Sequence, residues 1–185
     1  MSVITEITGL TVKLTPAAEK LVLHWGEMGS RWGLNRTVAQ IHALLYVAPR
    51  PLHAGEIAET LAVARSNVSS GLRELEAWGI VKVTHLLGDR RDHFETVSDI
   101  WQLFRLILEA RWRREIEPTL AVLDECVTEA GRPGADGHTI ARVRELQTFF
   151  RTLESWYEQL RTMELAQVKR VARMGARVRG LLKLA

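Results

Sequence analysis

The pattern that most narrows what this chain can fold into lies between Glu56 and Val97. Two short amphipathic segments stand two residues apart, followed by two alternating segments joined by a polar turn. Glu56–Ala62 buries Ile57 and Leu61 at helical spacing, and Val63-Ala64 interrupts it. Arg65–Trp78 then continues as a second helix, with Val68, Leu72 and Leu75 on its inner face. Gly79 follows as a helix stop, because glycine enters the left-handed region without a steric penalty. Ile80–Thr84 and His93–Val97 alternate as strands do, and Leu87-Gly88-Asp89-Arg90-Arg91-Asp92 between them is a turn. Helix, tight turn, helix, strand, turn, strand is the order of a winged helix-turn-helix.

The flanking sequence is helical. Residues 1–14 carry no helical period and read as an arm. Thr15-Pro16 is a helix start, and Leu21, Trp25, Met28 and Trp32 form an apolar stripe up to Gly33. Arg36–Ala48 fits a second helix with Val38, Ile41, Leu45 and Ala48 on one face, ended by Pro49-Arg50-Pro51. Ser98 is placed to cap a helix carrying Trp101, Phe104, Leu108, Trp112 and Ile116, which Pro118 should kink or restart. Gly131–Gly137 is the clearest loop. From Val143 a seam at spacings of three and four runs through Leu146, Phe150, Leu153, Tyr157 and Leu160 to Ala185. Glu164 and Gln167 form a polar layer within it. So sustained a seam reads as a dimerisation surface rather than as packing against residues 99–130.

The expected fold class is therefore mainly α with a small β-hairpin wing. A winged helix-turn-helix domain over 15–97 precedes long dimerisation helices over 98–185. With 185 residues the chain can bury roughly 70% of its unfolded surface, so it needs no metal or disulfide to hold a core. It carries one cysteine, Cys126, no apolar run long enough to span a bilayer, and an N-terminus without the features of a signal peptide. The expectation is a cytoplasmic protein with no membrane partner.

The net charge of +3 is too small to indicate a nucleic-acid partner by itself. Its distribution is more informative. Residues 164–185 hold six basic side chains against the single acid Glu164, and read either as a solvated face or as facing an anion.

A helix enters the DNA major groove only if its outer face can bond phosphates and base edges. On Arg65–Trp78 the inner positions leave Arg65, Ser66, Asn67, Ser69, Ser70 and Arg73 outward, without an acid among them. An ordinary solvated helix surface mixes Lys with Glu. The Ser/Asn/Arg cluster instead suits double-stranded DNA, with Arg90 and Arg91 at the wing turn as phosphate or minor-groove contacts.

Residues 25–112 resemble the MarR-type winged-helix regulators, in particular their GbsR branch, which includes repressors of glycine betaine synthesis. The matching stretches are WGEMGSRWGLNRTVAQIHALLYVAPRPLHAGEIAETL, ARSNVSSGLRELEAWGIV and GDRRDHFE. The resemblance implies a homodimeric transcriptional regulator, a repressor, on a roughly palindromic operator. It makes Arg65–Trp78 the recognition helix and Gly88–Asp92 the wing. It also suggests choline or betaine sensing, and Trp25, Trp32, Trp101, Phe104 and Trp112 are candidates for an aromatic cage around such a cationic effector. Their competing role is core packing. His53 stands where the family usually has a capping Ser or Thr, which should weaken that cap.

No nucleotide-binding glycine loop is present. The histidines are scattered without metal spacing, and nothing assembles a hydrolase triad. His85 and His93 read as surface residues of the hairpin. The chain is thus expected to be no enzyme, with no cofactor and no metal. The alternative function is a helical interaction module whose winged helix binds protein.

Overall fold

The computed structural model describes residues 7, 8, 11–130 and 136–181, and only the backbone of 7, 8, 11 and 175–181. The chain divides into two compact units, one ending at Leu103 and the other beginning at Phe104.

In the first unit β1 (Ile7–Thr8) and β2 (Thr11–Val12) form a short antiparallel pair. The arm expected over 1–14 is thus partly ordered. The Val12 N–H donates to Thr60 Oγ1 at 3.1 Å, and Val12 itself is buried. Helix α1 (Pro16–Arg31) starts where Thr15-Pro16 requires, with Thr15 Oγ1 accepting from the Ala18 N–H. Helix α2 (Arg36–Val47) is capped by Asn35. The two lie close together: a Cβ on Gly29 would stand 2.5 Å from that of Ala39. The apolar stripe expected to end in Trp32 stops short of it. Trp32 follows the last turn of α1 and is exposed.

Next come β3 (Leu52–His53), α3 (Ala54–Leu61) and α4 (Arg65–Ala77), then the hairpin β4 (Val81–Thr84) and β5 (His93–Thr96). The three strands are antiparallel in the order β3-β5-β4, with Leu52 opposite Phe94 and Thr84 opposite His93. Two residues of β3 were too few to read from sequence. Gly79 takes φ +69, as a helix stop requires. The core is made where α2, α3, α4 and the sheet meet. Ile41, Leu44, Leu52, Ile57, Val68, Leu72 and Ile80 are at most 2% exposed. Val68, Leu72 and Leu75 form the inner face of α4 as their spacing predicts, while Leu61 is only half-buried.

Ile100–Arg111 forms α5, and its cap is Asp99 rather than Ser98: Asp99 Oδ1 accepts from the Trp101 and Gln102 N–H groups. In the second unit, one π-helical turn, Trp112–Ile116, leads into α6 (Glu117–Ala130). Pro118 has no N–H to offer the preceding turn, and the chain absorbs this by widening the helix there instead of breaking it. The glycine loop expected at 131–137 lies, up to residue 135, outside the described residues. Asp136 then caps α7 (Gly137–Thr162), and α8 (Leu165–Leu181) follows.

The long seam is not one continuous surface. Its middle part is used within the unit: Trp112 stacks on Tyr157 at 4.2 Å, with Leu120, Phe150 and Leu153 packed around the pair. The polar layer marks a helix break, where the Glu164 N–H donates to Gln167 Oε1 at 2.9 Å. Beyond it Val171 and Met174 are exposed, and the seam positions after them lie where no side chains are described.

Candidate nucleic-acid interface

Burying Val68, Leu72 and Leu75 turns the opposite side of α4 outward. Arg65, Ser66, Asn67, Ser69, Ser70 and Arg73 are all exposed. Ala64 supplies no side-chain cap and the first turn holds no acid, so the N–H groups and positive dipole end of α4 are not neutralised locally. Within the cluster Arg73 donates to Ser70 Oγ at 3.3 Å. Such a surface offers forked donors, small hydroxyls and one amide to an anionic, hydrogen-bonding partner.

Gly71 sets the depth at which this helix sits. A Cβ there would lie 2.7 Å from Ile41 Cδ1, so α4 rests directly on α2. A glycine inside a helical pattern was the available sequence signal, since it weakens a helix unless something packs against it.

The wing is organised around Asp89. Its carboxylate accepts from Arg91 Nε at 2.9 Å and Nη2 at 2.5 Å, and these bonds hold it far below the usual carboxylate range. Arg91 Nη1 lies 2.8 Å from His53 Nε2. Arg91 is thus tethered at both ends of its guanidinium, while Arg90 beside it is exposed with no hydrogen bond or ion pair among the described residues. Sequence reading treated the two arginines alike and passed over Asp89.

His53 was expected to weaken the start of α3, and it does the opposite. Its Nδ1 accepts from the Gly55 and Glu56 N–H groups at 3.1 and 3.2 Å, while Glu56 Oε2 accepts from the His53 N–H at 2.9 Å. This is a complete capping box with an imidazole in place of a hydroxyl. Burial, opposed by Glu56 and assisted by Arg91, holds the His53 ring below its ordinary pKa, so the cap persists as a neutral acceptor. Burial works against the charge of Glu56, but hydrogen bonds from Arg50 and the His53 N–H keep it ionised. His93, expected at the surface, is 2% exposed and meets His53 edge to face, whereas His85 remains outside.

Of the five aromatics expected to cage a cation, Trp25, Trp32 and Trp101 belong to the first unit and Phe104 and Trp112 to the second. Trp112 is closed off against Tyr157, Trp32 and Phe104 are about half exposed, and Trp101 is half-buried. Trp25 alone of the five lines the apolar cavity between α1, α2 and the first turn of α5, together with Leu21, His42, Tyr46 and Leu103.

Residues 32–92, from the end of α1 to the base of the wing, match the MarR family. Over 94 residues the chain is 23% identical to the HTH-type transcriptional repressor GbsR of Bacillus subtilis, covering 51% of this chain and 52% of that protein. It is also 23% identical over 100 residues to the HTH-type transcriptional repressor OpcR of the same organism, covering 54% of each. The chain thus matches only about half the length of these curated relatives. A crystal structure of a transcriptional regulator shares the fold, with a TM-score of 0.64 at 20% identity over 84% of this chain and 99% of that one. Among the described residues no helix is long and apolar enough to cross a membrane, and no group of three or more potential ligands could hold a metal ion.

Proposed function

We propose that this chain is a DNA-binding transcriptional regulator, a repressor, that acts as a homodimer in the cytoplasm. The observation that carries this reading is the outer face of α4: six exposed groups suited to phosphates and base edges, no acid, and a helix start without a side-chain cap. The MarR-family match over 32–92 supports it, since that region contains the whole face and the wing arginines. In a two-fold dimer the two copies of α4 enter successive major grooves, so the operator is roughly palindromic. The face offers no constellation for covalent chemistry, and the chain is read as no enzyme.

Dimerisation is supported by α7. Besides the face spent on Trp112, it carries a second apolar stripe, with Leu146, Phe149 and Trp156 exposed by 50, 56 and 71%. Three such side chains in water form the type of patch that a second copy would cover. Phe149→Asp should give a folded monomer in sedimentation at micromolar concentration, because it charges this stripe while sparing the Trp112 core. A wild-type monomer at that concentration would refute the dimer.

The direct test is a gel shift on fragments of the source genome at several salt concentrations. Asn67→Ala and Arg73→Ala should each weaken specific binding by about 1–3 kcal/mol if they read base edges. Unchanged affinity in both, with folding intact, removes this face from the interface and favours a protein-binding winged helix.

A further inference from the structure

We propose that His53 is a positioning residue that couples the wing to the start of α3. The first N–H groups of α3 and the guanidinium of Arg91 contest the single lone pair of its ring, and a DNA phosphate that takes Arg91 leaves that lone pair to the helix.

Both ring nitrogens of His53 face donors. Nδ1 lies 3.1 and 3.2 Å from the Gly55 and Glu56 backbone nitrogens, and Nε2 lies 2.8 Å from Arg91 Nη1. A backbone N–H and a guanidinium only donate, whereas a neutral imidazole accepts at one nitrogen and donates at the other. Burial, the largest influence on this ring, holds it below its ordinary pKa, so at neutral pH it has one lone pair. If Nδ1 accepts, Nε2 carries the proton and meets Arg91 donor to donor. If Nε2 accepts, Nδ1 turns a proton on the N–H groups it should cap. In the free chain one of the two contacts is therefore always opposed.

The surroundings narrow the way out. Glu56 Oε2 stands 3.5 Å from Nε2, beyond ordinary hydrogen-bond range, and already accepts from the His53 N–H and from Arg50. His93 meets the ring edge to face, and its Nδ1 donates to the Arg91 carbonyl at 3.0 Å. The Arg91 N–H donates to Asp89 Oδ1 at 3.0 Å, so the backbone of Arg91 is held on both sides. Its side chain is 54% exposed and is the part that can turn. Arg65 of α4 reaches the same corner. Its Nη2 would stand 3.6 Å from a Cβ on Gly55, a position 2.9 Å from His53 Cε1. The ring thus sits between the first arginine of the α4 face and an arginine of the wing.

The competition stands on this geometry alone, and its consequence at the wing rests on the DNA-binding reading. A phosphate oxygen is an acceptor that Arg91 Nη1 meets without opposition, in a charge-assisted bond. An Arg91 that turns to it gives up the ring, and Nδ1 then accepts from α3 at all times. Contact at the wing and the cap of α3 therefore favour each other, and by linkage the effect runs equally in both directions.

The test labels the histidine rings of the full chain with ¹⁵N, whose resonances separate a protonated from an unprotonated ring nitrogen. A short random-sequence duplex at low salt supplies the phosphates. Free wild type should show both tautomers of His53 in exchange. The duplex, and separately Arg91→Ala without DNA, should each move the ring to the Nε2–H form and slow hydrogen exchange at the Gly55 and Glu56 amides. His53→Asn supplies a cap of the kind Asn35 gives α2 but is too short to reach Arg91. Its two amides should be indifferent to the duplex and to Arg91→Ala. In gel shifts Arg91→Ala should cost severalfold to roughly tenfold more affinity in the His53→Asn background than in wild type, the range of one net hydrogen bond. If His53→Asn fails to fold, the ring shift in Arg91→Ala decides. A ring fixed in one tautomer and unmoved by Arg91→Ala overturns the proposal, as does an equal loss of affinity in the two backgrounds. Duplex binding without a ring shift removes the coupling and leaves the regulator reading standing. A chain that binds no duplex loses the regulator reading and the coupling at the wing, while the ring shift in Arg91→Ala still establishes or refutes the competition.

Discussion

Among the described residues the eight largest fully buried side chains all lie at or before Leu103, whereas after it the most buried, Leu120 and Val168, are still 5% exposed and Trp156 is 71% exposed. Charge is distributed the other way. Arg113, Arg142, Arg151 and Arg161 of the second unit each hold a carboxylate, while Arg65, Arg73 and Arg90 of the first have no acidic partner among the described residues. The winged unit thus completes its core and leaves cations unpaired on the outside. The helical unit pairs these four cations and leaves apolar surface open. A surface of unpaired forked donors suits an anionic partner, and a stripe of bare apolar side chains suits another copy of the same stripe.

The core half of this contrast predicts the largest effect. Leu44→Ala should destabilise by about 2–5 kcal/mol in urea unfolding, because Leu44 is fully enclosed and its neighbours cannot close the void. Leu146→Ala in a monomeric background should change stability by no more than about 0.5 kcal/mol, since half of that side chain already faces water. Similar losses in the two variants would mean that the two units are closed to the same degree.

How legible this contrast was in the sequence depended on range. Within α4 the positions of Val68, Leu72 and Leu75 fix the inner face, and the outer face follows by subtraction. The order of helices and hairpin strands follows from spacing and from Gly79. Decisions made between distant residues were not legible. Periodicity marks Phe150, Leu153 and Tyr157 as apolar but cannot say that Trp112, some forty residues earlier, covers them. It also placed Phe149 and Trp156, about 100° round the helix, outside the seam. The His53 cap depends on an imidazole orientation set by β3 and β5, and only folding brings the strands that fix it together. Asp89 reads as one acid in a charged turn until the turn closes and brings its carboxylate against Arg91.

His42 offers a second, smaller way to separate the units. Its ring is neutral when folded and protonates only near pH 4, whereas an unfolded histidine takes up its proton near 6.5. The unfolded state therefore binds more protons between these values. The stability due to His42 is complete above about 6.5 and is lost as pH falls towards 4, by at most about 3 kcal/mol. The difference in stability between wild type and His42→Leu, measured by urea unfolding from pH 7 to 4, isolates this effect from the carboxylates that titrate in both. A constant difference across that range would show that the ring is solvated, and that the winged core is less closed than the burial of Ile41 and Leu44 indicates.

The smallest effect tests the charge half of the contrast, and it compares two arginines that look alike in sequence. Arg90 on the wing has no partner among the described residues, so if it meets a DNA phosphate its removal should weaken binding to every fragment by a similar factor. The slope of log affinity against log salt should then become shallower by about one. Arg151 on α7 already donates to Asp124 at 2.5 Å and Glu154 at 2.7 Å, and a cation so neutralised has little counterion release to contribute. Arg151→Ala should leave the slope unchanged although it removes the same formal charge. Measuring both variants by gel shift between 50 and 200 mM salt, on one specific and one random fragment, separates local contact from overall charge. Equal reductions would mean that DNA responds only to net charge. A reduction confined to Arg90→Ala would place the anion at the wing, where the fold leaves a cation unpaired beside a tethered one.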